Sequence, residues 1–171
     1  MRKGFVLWLG IAIFCFSAVS VIADDETTSV FDQAKKAGVI RCLKSLEQVS
    51  NYIIKKNKHS SHSIWAKDNV DLNGFSSFVV KEYTDGDSHV SILVVPTADK
   101  DTCFAEYNET SYWPKSCSVL REEVYKDWKY KSSLKESTVI LKNDSDKVFI
   151  YLSPQNNGSA CLSTRREVIF Y

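Results

Sequence analysis

The residues best equipped for chemistry are three histidines, His59, His62 and His89. His59-Ser-Ser-His62 sets two imidazoles three residues apart, a spacing that on a helical turn would let both reach one metal ion. His89 follows the Asp85-Gly86-Asp87 turn and would supply a third ligand. A three-histidine zinc site with an open position would make the protein a hydrolase. No H-E-x-x-H run accompanies them, and the segment around His59 and His62 is polar throughout. The expectation is therefore solvated loop histidines, with no metal and no cofactor.

Other catalytic constellations are weaker still. There is no G-x-S-x-G elbow to carry a nucleophilic serine. Glu122-Glu123 suits a solvated face rather than an acid/base pair, which needs two distinct environments. Asp85-Gly86-Asp87 is a hairpin turn without the rest of a calcium loop. The Lys55-Lys56-x-Lys58-His59 cluster suits the C-terminal end of a helix, where cations meet the negative end of the dipole. The chain is expected not to be an enzyme.

Aromatic side chains are the remaining candidates. They crowd the second half, and a sheet face rich in them would line a ligand groove or a protein interface. The residues singled out for binding are Phe149, Tyr151, Leu93, Trp113 and Trp128, with loops 97–102 and 155–159 beside them.

The elements that must position these residues begin after a leader. Arg2 and Lys3 precede an apolar run over residues 5–22, and Val21-Ile22-Ala23 offers a small-residue cleavage site. Residues 1–23 are read as a signal peptide and 24–171 as one secreted or periplasmic domain. That domain keeps 20 basic residues of the 22, against 21 acidic ones. Such a balance argues against nucleic acid as a partner, and no second apolar run remains to span a membrane. The expected partner is a protein or a small apolar ligand.

Four cysteines lie beyond the leader: Cys42, Cys103, Cys117 and Cys161. An even number behind a signal peptide implies two disulfides, and four cysteines allow three pairings. If 103–113 and 117–128 form a hairpin, Cys103 and Cys117 sit at opposite ends, roughly 30 Å apart, beyond the about 7 Å that a disulfide spans. The preferred pairing is Cys103–Cys161 with Cys42–Cys117.

Two stretches repeat without a gap at an offset of 58 residues. Val90, Ile92, Pro96, Cys103 and Glu109 return as Val148, Ile150, Pro154, Cys161 and Glu167. Each copy reads as strand, proline stop, polar loop, cysteine and second strand, giving an internal β repeat over 79–113 and 137–171. Val90, Ile92 and Val94 share one face, as do Val148, Ile150 and Leu152. Leu93, Phe149 and Tyr151 take the other, so the sheet is apolar on both sides.

Before the repeat, Val39, Cys42, Leu43, Leu46, Val49 and Ile53 recur at spacings of three and four, the stripe of an amphipathic helix. Gly38 weakens its first half, and Ser29-x-x-Asp32 resembles a capping box. Residues 57–63 read as a connector. Residues 117–128 fit both a helical stripe and a strand face and are read as a long strand.

An outer-membrane barrel is rejected, because Arg165 and Glu167 share a strand face with Ile169. The fold expected is α+β: an N-terminal amphipathic helix on a mainly antiparallel meander of about seven strands. Its function is expected to be a binding or interaction module. A small apolar-ligand carrier with the sheet curled round a cavity is the alternative, and a histidine-metal hydrolase the last.

Overall fold

A computed structural model describes residues 27–84, 86–99 and 102–170; the expected signal peptide lies outside them. The described residues form an α+β fold with three α-helices, two disulfides and one eight-stranded sheet in which every neighbouring pair is antiparallel.

The expected single helix is two. Helix α1 (Ser29–Ala37) stops at Gly38, whose φ of 86° is the left-handed conformation that glycine adopts most cheaply. Helix α2 (Leu43–Ile54) then restarts with Cys42 as its N-cap. The cap of α1 is Thr28 rather than Ser29: the Thr28 hydroxyl accepts from the Phe31 N–H and donates to Ser50 on α2. The apolar stripe keeps its spacing, with Leu46, Val49, Ile53 and Ile54 buried.

The strands follow as β1 (His59–Trp65), β2 (Phe75–Tyr83), β3 (Gly86–Pro96) and β4 (Cys103–Trp113), then β5 (Lys129–Leu134), β6 (Thr138–Lys142), β7 (Val148–Gln155) and β8 (Ala160–Phe170). Between β4 and β5 lies helix α3 (Cys117–Glu123). Two expectations fail here. Residues 59–63 are strand rather than connector, and with β5 in place of the expected 117–128 strand the sheet has eight strands instead of about seven. Residues 117–123 are helix, with the Ser116 hydroxyl accepting from the Val119 N–H at its N-terminus.

The strand order is β1-β2-β3-β4-β8-β7-β6-β5. Two four-stranded meanders therefore meet along β4 and β8, each introduced by a helix. Residues Asn108 and Arg166, which lie 58 apart, face each other across that seam, so an approximate two-fold axis passes between them.

The disulfides obey the same symmetry: Cys42–Cys103 ties the start of α2 to β4, and Cys117–Cys161 ties the start of α3 to β8. This overturns the expected Cys103–Cys161 and Cys42–Cys117 pairing. Each bridge stays within its own copy because each helix lies over the last strand of its own meander. The sequence separations are 61 and 44 residues, so the second copy is the shorter one.

All three helices cover the same sheet face. Val79, Val90, Ile92, Val94 and Ala105 are buried against α1 and α2, whereas Ile150, Leu152, Leu141 and Cys161 are buried against Leu120 of α3. These are two separate cores. The far face carries Phe78, Leu93, Phe149, Tyr151 and Phe170, and among the described residues no helix or further strand layer lies over it. No described helix is long and apolar enough to cross a membrane.

Candidate functional site

The two cores fail to merge because the inward positions of the central strands change character. On β4 the sequence of inward residues runs Cys103, Ala105, Tyr107 and then Glu109. On β8 it runs Cys161, Ser163, Arg165, Glu167 and Ile169. Registered antiparallel, Glu109 stands opposite Arg165 and Tyr107 opposite Glu167. At the offset of 58, Glu109 corresponds to Glu167 and Tyr107 to Arg165. The axis thus brings together two equivalent glutamates, with a tyrosine in one copy where the other has an arginine.

Each charge is held by specific contacts. Lys81, on β2 and only 2% exposed, donates to Glu109 Oε1 at 2.7 Å and to the Ile53 carbonyl near the end of α2 at 2.6 Å. The same Glu109 oxygen accepts from Ser88 at 2.9 Å and from the Tyr83 phenol at 3.1 Å. A buried ammonium needs a partner of this kind. Across the seam the Tyr107 phenol donates to Glu167 Oε2 at 2.6 Å. Burial first, and then that bond to a carboxylate, push the phenol well above its ordinary range.

Arg165 is less well matched. Its guanidinium donates to the Tyr52 hydroxyl at 2.8 Å, lies near the Tyr52 and Tyr107 rings, and reaches Glu167 only at 3.5 Å. Its Nε is buried with no hydrogen-bond partner, as is Trp113 Nε1 nearby.

Above this floor lies a cleft of about 790 Å³ whose lining includes Glu109, Ser111, Ile150, Ser163 and Arg165 together with Tyr83, Tyr112, Trp113, Tyr125 and Trp128. Tyr125 and Trp128 come from the turn after α3 and pack edge to face, the Tyr125 hydroxyl bonding Ser163. Trp113 ends β4 just before the proline that turns the chain into α3. The volume falls in the range of small-molecule sites, which combine apolar walls with a few placed polar groups.

The five residues singled out from sequence divide between two places. Trp113 and Trp128 line this cleft. Phe149, Tyr151 and Leu93 lie on the far face, where Phe149 and Tyr151 line a groove of about 630 Å³ with Arg166, Val168 and Phe170. Lys131 stands over the Phe149 ring, and Arg166 makes two 3.0 Å bonds to Glu106. That ion pair holds the Glu106 carboxyl below its ordinary range.

The histidines are not brought together. His59 faces the helices, where its Nε2 accepts from the Ser29 N–H at 3.1 Å. His62 and His89 project from the other face, on β1 and β3 with β2 between them, and His89 lies against Phe78. Among the described residues no group of three histidine, cysteine, aspartate or glutamate side chains is placed to hold a metal ion.

Lys81, Glu109 and Arg165 were not among the candidates read from sequence. Their signal was present: each is a charge at an inward position of an otherwise apolar or small-residue strand face. Compared with known protein families, curated proteins and solved structures, the chain matches none.

Proposed function

We propose that the protein is an extracytoplasmic, non-catalytic binding module that holds a small, largely apolar ligand in the cleft between its two helix-covered halves. The observation that carries this reading is the failure of the two cores to merge. Three helices cover one sheet face, yet about 790 Å³ stays open between the two halves, lined by five aromatic residues above a polar floor. The cleft lies over an open sheet and not inside a closed barrel, since the edge strands β1 and β5 do not pair. Two disulfides, stable where thiols are oxidised, support the compartment.

The test is Nile red, a neutral dye that brightens in apolar surroundings. Its signal should rise on binding the folded protein and fall sharply in Ser111→Trp, which fills the cleft from β4. An unchanged signal in that variant, with loss in the far-face variant Leu93→Ser, would refute the reading.

A second reading, the interaction module, rests on the uncovered sheet face. Phe170 is 73% exposed, Phe78 46% and Leu93 38%, a run of large apolar side chains that monomeric surfaces seldom present together. Its simplest occupant is a second copy of the chain. Sedimentation would show a dimer that Leu93→Lys dissociates; a monomer at every concentration would count against it.

A further inference from the structure

We infer that the ligand of this cleft is an anion, a carboxylate carried on an apolar or aromatic body, and that Arg165 receives its charge. The inference rests on the cleft reading above and adds the sign of the ligand's head group.

The argument is one of which charges on the floor are already matched. Glu109 is matched: a full positive charge on Lys81 stands 2.7 Å away, and two hydroxyls donate to the same oxygen. Lys81 is matched in turn by Glu109 and by a backbone carbonyl. Arg165 is matched only in part. Its ion pair with Glu167 is long, at 3.5 Å, and that carboxylate already accepts the Tyr107 phenol at 2.6 Å. Glu109, opposite it across the seam, is held by Lys81, and the remaining neighbours of Arg165, Tyr52 and Tyr107, are neutral phenols. The guanidinium keeps 35% of its side chain exposed in a wall of the cleft, so an incoming carboxylate competes only with that one long ion pair.

The remaining charges do not reverse the balance. Asp87 lines the cleft as an exposed residue and is screened by solvent, and Lys115 is paired with Glu123 at 2.7 Å. Charge-assisted bonds to arginine are among the stronger polar contacts, and guanidinium geometry suits the two oxygens of a carboxylate. The body of the ligand would lie along Trp113, Tyr125, Trp128 and Ile150.

Matched probes separate the possibilities. Tryptophan fluorescence would follow titration with laurate and 2-naphthoate, and with dodecylamine and 2-naphthylmethylamine, which share their bodies and carry the opposite charge. Each carboxylate should bind at least tenfold more tightly than its amine. That preference should vanish in Arg165→Gln, persist in Arg165→Lys and be untouched by the far-face change Arg166→Gln. Whichever carboxylate binds better tells a fatty from an aromatic ligand. Far-UV circular dichroism checks that each variant is folded.

Amines binding as well as carboxylates, or a preference that survives Arg165→Gln in a folded protein, would overturn the inference and leave the cleft reading intact. Failure of all four probes, together with a Nile red signal indifferent to Ser111→Trp, would overturn both.

Discussion

Replacing Lys81 by methionine tests the idea that the seam is held by mutual compensation of buried charges. The ammonium is 2% exposed and has two partners, Glu109 and the Ile53 carbonyl. Removing one member of a buried pair costs about 3–5 kcal/mol, because the other charge stays behind. In Lys81→Met, Glu109 keeps two hydroxyl donors and 15% exposure, so the lower end, about 3 kcal/mol, is expected. Glu109→Gln removes the counter-charge instead and strands the ammonium, again at about 3 kcal/mol. The double variant strands nothing. It should lose only about 1–2 kcal/mol, leaving a coupling of roughly 4 kcal/mol. Urea unfolding, followed by tryptophan fluorescence and circular dichroism, reads these as midpoint shifts. With a slope of about 2 kcal/mol per molar, each single change moves the midpoint by about 1.5 M. If the double variant instead lost the sum of the singles, the two charges would not be compensating each other and the account of the seam would be wrong.

Two further outcomes are expected. Cys117→Ser with Cys161→Ser should remove about 4 kcal/mol of loop-closure stabilisation for a 44-residue separation. It should also release α3, which at seven residues is too short to persist alone. Tyr125 and Trp128 would then leave the cleft, giving red-shifted fluorescence and loss of Nile red binding; retention of both would contradict the role given to the bridge. The Glu106–Arg166 pair should add stability above the ordinary carboxylate range, because the carboxyl titrates lower in the folded chain than in the unfolded one. That contribution is lost as pH falls from the ordinary value through the lowered one. Arg166 is 44% exposed, so the term is under about 1 kcal/mol. Thermal melts of Arg166→Gln and the parent should differ at pH 7 and converge once pH falls below the lowered carboxyl range. A gap that stays constant over that range would assign the effect to packing.

The parts of the fold that sequence revealed are those where an element's period and its burial agree. Strands β2, β3, β4 and β7 alternate between core and surface, and the helical stripe of α2 points into the larger core. Strand β1 was hidden because its inward residues before Trp65 are not apolar. His59, Ser61 and Ser63 face the helices and β2 through hydrogen bonds to Ser29, Gln33 and Ser77, so the two-residue rhythm has no hydrophobic half. Helix α3 was hidden for the opposite reason. Leu120, Val124 and Trp128 satisfy both periods, and only Leu120 is buried within the helix. The capping serine at 116 was the one local signal that separated the alternatives.

That single misreading also decided the disulfides. With 117–128 taken as a strand, the only repeat visible was the β part, and a bridge between equivalent cysteines looked natural. Once residues 117–123 are a helix, each copy is helix, four strands and one internal bridge, and the equivalent cysteines are Cys42 with Cys117 and Cys103 with Cys161. The same symmetry explains where the site lies. A duplicated unit with an apolar stripe needs apolar partners only beneath its own helix, so the strands where the copies meet are free to carry other residues. Arg165 and Tyr107 occupy equivalent positions on either side of the axis, yet only one is charged. Two glutamates remain where symmetry places them, and the arginine is the residue by which the copies differ. Binding, on this view, is a property that neither half has alone: one copy supplies Glu109 and Trp113, the other supplies Arg165 and Trp128, and the cleft exists only where they join.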